Sequence, residues 1–186
     1  MKFYEFGELN KPVIILLPGT CCHWKANFEK VIAFLAEDFH VICVSYDGFE
    51  ETEKTIFHGN VFPDMVTETD KIENYIKENY GGKIHAAYGC SLGGSFVGLL
   101  VQRRNVHISH AILGSSDLVT PLENGISVSG TTIHIFYAVK MGERYLERYH
   151  RHFKNPDIRR HDMQHEELLI CYPEQWVEEV KKCCRL

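Results

Sequence analysis

The stretch Val13-Ile14-Ile15-Leu16-Leu17 is apolar at every position and stops at Pro18-Gly19. A strand with one wet face alternates apolar and polar residues, so five apolar residues in succession describe a strand covered on both faces, the condition found inside a parallel sheet. Parallel strands need a crossover, usually a helix. Trp24, Phe28, Val31, Ile32 and Leu35 follow at three- and four-residue spacing, which predicts a helix laying one stripe on that sheet. The pattern then repeats. Residues 41–44 and 84–88 read as strands, residues 92–102 as a buried helix, and 108–113 and 133–138 as further strands. A helical pattern runs from Met65 to Gly81-Gly82, and another spans 143–153. A last strand is expected over 158–163, and a closing helix after Pro173 turns Trp176, Val177 and Val180 inward. The fold class implied is α/β, a mostly parallel sheet with helices on both faces. Two stretches lack a period: 48–64, with Gly48, Gly59 and Pro63, and 118–130, rich in Pro, Asn, Gly, Ser and Thr. The first reads as loop and the second as irregular crossover. At 186 residues the chain supports one well-buried core, so a single domain over 1–186 is expected.

Other features narrow the functional classes. The opening MKFYEFGELN lacks the apolar segment of a secretory signal, and VIILLPG is too short to span a bilayer, so a cytoplasmic protein without a membrane partner is expected. Seven cysteines, an odd number without CxxC pairs, favour reduced thiols over disulfides or a zinc ribbon. A formal charge of −5 gives no reason to expect nucleic acid, and the basic segment 140–161 reads as a solvated helix face.

Gly89-Cys90-Ser91-Leu92-Gly93 matches G-x-S-x-G between a predicted strand and a predicted helix. In that context the tight turn holds the serine in a strained backbone conformation, with glycines removing side chains that would clash. A serine hydroxyl is a poor nucleophile near neutral pH and needs a base to take its proton. His165 follows the last predicted strand and precedes the closing helix, which sets it at the carboxyl edge of the sheet with Ser91. His85 and His134 fall inside strands, and His150, His152 and His161 lie in the basic segment, where surface or packing roles fit better. His161 and His165 in HDMQHEE suggest metal ligands only with further ligands, which the sequence does not supply, so no metal or cofactor is expected.

With these residues in place, the chain resembles the α/β-hydrolases along nearly its whole length. LLPGTCCHW is similar to that family's strand, His-Gly turn and downstream tryptophan, with Pro18 at the histidine place and Gly19 and Thr20 matching its backbone. QHEELLICYPEQW is similar to its terminal histidine and Pro-initiated helix. The resemblance implies an oxyanion hole from the backbone N–H groups of Thr20 and Leu92, two fixed donors for the charge that acyl transfer builds on a carbonyl oxygen. It leaves two places for the acid. Asp117 follows the strand over 108–113, and Glu143 lies just past the next one; Asp117 is preferred. Either would orient His165 and stabilise its imidazolium. Asp162 reads as a strand-end hydrogen-bonding residue.

The crossover after Ser116 is too short for the family's usual lid. The cap is therefore read as reduced, and the pocket as open or covered by a second subunit, a possible homodimer. Cys21, Cys22 and Cys90 flank the predicted site as small apolar residues of tight turns, while Trp24, Phe49, Phe57 and Phe62 could wall it. The function implied is hydrolysis of small carboxylic esters or thioesters through an acyl-enzyme, with short acyl chains preferred. Two alternatives stay open: an acyltransferase or peptidase using the same nucleophile, and a non-catalytic binding protein on the same scaffold.

Overall fold

The computed structural model describes residues 1–20, 23–49, 64–119 and 122–185. Seven strands form one sheet: β1 (Lys2–Phe6), β2 (Val13–Leu17), β3 (His40–Ser45), β4 (Lys83–Cys90), β5 (His107–Gly114), β6 (Thr132–Ala138) and β7 (Asp157–His161). Their spatial order is β1-β3-β2-β4-β5-β6-β7, and every neighbouring pair is parallel except β1 with β3. The β2–β4 register aligns Leu17 with Gly89, and the β4–β5 register aligns Cys90 with Gly114. Three strands thus end side by side at the G-x-S-x-G turn, the edge where sites of open parallel sheets are built.

The unbroken apolar strands serve two cores at once. Ile15, Leu17, Ile42, Val44 and Leu113 point to one face, packed by Ile72 and Ile76 of α3 (Met65–Tyr80), Phe96 and Leu100 of α4 (Leu92–Arg103), and Leu146 and Tyr149 of α5 (Glu143–His152). Ile14, Leu16, Val41, Cys43 and Ile112 point to the other. There they meet Trp24 and Phe28 of α1 (Trp24–Phe28), Leu35 of α2 (Ile32–Leu35), Leu168 of α6 (Glu167–Cys171), and Trp176 and Val180 of α7 (Pro173–Cys184). The expected layering of helices on both faces is what the chain forms. Local signals mark the ends: the Asp64 carboxylate accepts from the N–H groups of Val66 and Thr67 at the start of α3, and Gly81, with φ of 61°, ends it.

Several assignments differ from the sequence reading. The helix expected through Trp24 and Leu35 is two short helices, because the Val31 N–H closes on the Phe28 carbonyl at 3.0 Å and restarts the turn. Both pieces keep the apolar stripe on the sheet, so the periodicity survives the break. The last strand stops at His161 rather than Met163, whose N–H folds back onto the His161 carbonyl at 2.8 Å. β1 went unread because it is a half-exposed edge strand carrying Lys2 and Glu5, charges that suit an edge and hide an apolar pattern.

The crossover from β5 to β6 runs down α4. The Val119 N–H donates to Ser95 Oγ, Leu122 packs at Gly98, the Glu123 N–H donates to Gln102 Oε1, and Arg104 reaches the Ser127 carbonyl. No helix occurs in it among the described residues. Phe57 and Phe62 lie outside those residues, and Trp24 and Phe49 belong to the core, 6% and 3% exposed.

Candidate active site

β4 ends at Cys90 and α4 begins at Leu92, leaving one residue to reverse the chain. Ser91 does so at φ 49° and ψ −110°, a region costly for any residue with a Cβ. The turn closes because its glycines admit backbone where side chains would stand. A Cβ on Gly93 would lie 2.0 Å from the Leu17 carbonyl oxygen, and one on Gly89 would lie 2.1 Å from the Gly93 carbonyl. The Ser91 N–H donates to the Gly114 carbonyl at 2.8 Å, tying the turn to β5. Ser91 occupies the N-cap position, yet its side chain makes no capping hydrogen bond, so Oγ is not spent on the helix. Leu92 and Gly93 open a 12-residue helix whose first N–H groups have no intrahelical partners, a fixed positive end beside the hydroxyl.

His165 lies on the loop between β7 and α6, exposed over part of its surface. The Gln164 N–H donates to Glu167 Oε2 at 2.6 Å and Glu166 adopts a left-handed φ of 60°, which together fix that loop. Partial burial pulls the His165 pKa below the ordinary histidine range, against an opposing pull from the negative charge of Asp117. The next residue, Glu166, is buried and reaches the elbow: its Oε1 accepts the Ser91 N–H at 3.1 Å. Ser91, the His165 loop and Asp117 therefore share one edge of the sheet.

Asp117 sits half-buried beyond β5, between two left-handed residues, Ser115 (φ 46°) and Leu118 (φ 51°). Its loop is held from several sides. The Ser115 N–H donates to the Phe136 carbonyl, Tyr149 Oη to the Ser116 carbonyl at 2.7 Å, and the Arg148 guanidinium to the Asp117 carbonyl. Glu143 sits in the first turn of α5 after Gly142, and its charge acts on Tyr137. Of the two candidate acids, Asp117 is the one whose charge reaches His165.

On the remaining wall, Gly19 donates its N–H to Asn27 Oδ1 at 2.9 Å, and Tyr46 Oη donates to the Pro18 carbonyl at 2.9 Å. The turn that carries Thr20 is thereby anchored. Cys21 and Cys22 fall outside the described residues. Among the described residues no group of three His, Cys, Asp or Glu side chains is arranged to hold a metal ion.

The residue that sequence reasoning passed over is Glu166. Its signal was faint: in His165-Glu166-Glu167-Leu168-Leu169 the two carboxylates look alike, and only the inward turn of Leu168 and Leu169 hints that one faces the protein.

Residues 12–166 match the family model described as alpha/beta hydrolase fold. The chain belongs to the α/β-hydrolase family. A monoacylglycerol lipase of Xenopus laevis (abhd6-B) is 24% identical to this α/β-hydrolase over 117 residues, 62% of this chain and 34% of the relative. The chain thus aligns with about a third of that relative's length. Among solved structures, a lipase-esterase related protein from Clostridium acetobutylicum superposes with a TM-score of 0.73 at 15% identity, covering 98% of each chain. An α/β-hydrolase enzyme (MGS-MChE2) from lagoon-sediment metagenome at Mar Chica, Morocco, gives 0.73 at 14% identity over 97% of this chain and 92% of that one. At such identities the likeness is one of fold. No helix among the described residues is long and apolar enough to cross a membrane.

Proposed function

We propose that this α/β-hydrolase is a serine hydrolase of small carboxylic esters or thioesters, with Ser91 as nucleophile, His165 as general base and Asp117 as the acid that orients it. The observation carrying the reading is Ser91 itself, held at φ 49° on a one-residue turn with Oγ unused by the helix it caps. A serine kept in a strained conformation without a capping role is explained by chemistry.

In this reading Ser91 Oγ attacks the acyl carbon as the His165 imidazole takes its proton. The N–H groups of Thr20 and Leu92 receive the carbonyl oxygen as it becomes negative, and the helix start at Leu92 strengthens that end. The tetrahedral intermediate collapses, the alcohol or thiol leaves with the proton from His165, and an acyl-Ser91 ester remains. Water then attacks that ester as His165 takes its proton, and the second intermediate collapses to free the carboxylic acid while the proton passes from His165 to Ser91 Oγ. Asp117 keeps the ring turned and stabilises its charged form.

The crossover that descends α4 supports a preference for short acyl chains, because its described part does not extend over the elbow. A panel of p-nitrophenyl esters of increasing chain length tests the substrate class. Turnover highest at about two to six carbons is expected, and a maximum at long chains would overturn the preference, since a long chain left in water loses about 0.8 kcal/mol of burial per CH₂.

A further inference from the structure

Glu166 is 8% exposed, and both of its carboxyl oxygens are engaged by the elbow. Oε1 accepts the Ser91 N–H at 3.1 Å, and Oε2 accepts the Cys90 thiol S–H at 2.6 Å. The Ser91 N–H is shared, since it also points at the Gly114 carbonyl at 2.8 Å. A carboxyl that accepts at both oxygens suits its ionised form, because a proton on either oxygen would have to turn onto a partner that is itself a donor. Glu166 also follows His165 in the chain, so one side chain ties the base-bearing loop to the peptide that precedes the nucleophile.

We infer that Glu166 is a positioning residue for Ser91, its carboxylate clamping the Cys90–Ser91 peptide and with it the spacing between nucleophile and base. The inference rests on the reading of Ser91 as nucleophile. A clamp of this kind acts on the geometry of attack and not on substrate affinity, so its loss lowers kcat and leaves KM unchanged.

Its ionisation state then matters. Burial raises the Glu166 carboxyl to about 7, opposed by the hydrogen bonds from Cys90 and Ser91. The titratable groups around it are Tyr88 and Cys90 on β4, Tyr149 on α5, His161 on β7, and His165 beside it. Both tyrosines are pushed up by burial and stay neutral, and His161 is pulled down by burial. His165 is also lowered, so the clamp protonates first as pH falls. The acid limb of the rate profile therefore holds two steps, the upper one belonging to Glu166.

The test measures kcat and KM for p-nitrophenyl acetate, and the rate of Ser91 labelling by a fluorophosphonate, across the neutral range. The proteins compared are the wild type, Glu166→Gln, Cys90→Ala and Ser91→Ala. Glu166→Gln is expected to lose the upper step and about ten- to a hundredfold in kcat with KM unchanged. Cys90→Ala removes a donor that favours the ionised carboxyl, so its upper step moves to higher pH. That variant decides the matter if Glu166→Gln folds poorly. A Glu166→Gln profile like wild type, or a Cys90→Ala profile that superposes on it, overturns the inference while a dead Ser91→Ala leaves the nucleophile standing. Turnover retained by Ser91→Ala refutes the nucleophile and this inference with it.

Discussion

Replacing Glu166 by glutamine should change stability in opposite directions at the two ends of the pH range. In the folded protein burial holds the Glu166 carboxyl at about 7, whereas in the unfolded chain it titrates near an ordinary glutamate, about 4.3. The folded state thus binds the proton more tightly. Its contribution to stability is fully present below the unfolded value and is lost as pH rises through about 7. A difference of between two and three pKa units corresponds to about 3 kcal/mol. Glutamine occupies the same volume and does not titrate. It can accept the Ser91 N–H, but turns an NH₂ group toward the Cys90 sulfur, which costs about 1 kcal/mol. Near pH about 4 the variant should therefore be slightly less stable than wild type, and near pH about 8 more stable by about 2 kcal/mol. Urea unfolding of both proteins at a series of pH values reads the difference directly. A difference independent of pH, or one growing in favour of wild type as pH rises, would refute a buried, proton-retaining Glu166.

Other outcomes follow from the same geometry. Asp117→Asn should lower kcat by several orders of magnitude by favouring the wrong imidazole tautomer, while Glu143→Gln, at the start of α5, should leave turnover within about twofold; steady-state rates of the pair discriminate. Gly93→Ala places a methyl 2.0 Å from the Leu17 carbonyl oxygen, so it should destabilise by more than about 3 kcal/mol or prevent folding, whereas Gly125→Ala, where a Cβ meets nothing within 4 Å, should cost only its positive φ of 68°; thermal unfolding compares them. His110 and His134 stack across β5 and β6, with Nδ1 of the first 3.3 Å from Nε2 of the second, and burial lowers both, His110 to about 4. The folded state holds them neutral, so their contribution is present above the ordinary histidine range and is lost on acidification through it, and His110→Phe should flatten that loss in acid unfolding curves.

Much of this was legible before any coordinates. The unalternating apolar runs could only be strands covered twice, and Ile14/Ile15 and Leu16/Leu17 divide between the two cores as that reading requires. The elbow was legible because strain, glycines and a strand-to-helix junction coincide at Ser91, three constraints on five residues. β1 was not, since an edge strand of mixed charge has no pattern to distinguish it from loop. The break near Val31 was invisible because both short helices preserve one stripe. Asp117 and Glu143 could not be separated by position along the chain, for both follow strands that end at the same edge; only in the fold does the charge of Asp117 bear on His165 while that of Glu143 bears on Tyr137. Glu166 lay hidden because which of two adjacent carboxylates in the sequence is buried is decided only by what the folded elbow offers it.

The central claim is that Ser91 is an activated nucleophile, and its most direct test is covalent capture. Incubation with a stoichiometric fluorophosphonate, followed by peptide mass spectrometry, should find one adduct per chain, on Ser91, formed rapidly in wild type and slowed by orders of magnitude in the His165→Ala and Asp117→Asn variants. No adduct at Ser91, or labelling there at an unchanged rate when His165 is removed, would contradict the account.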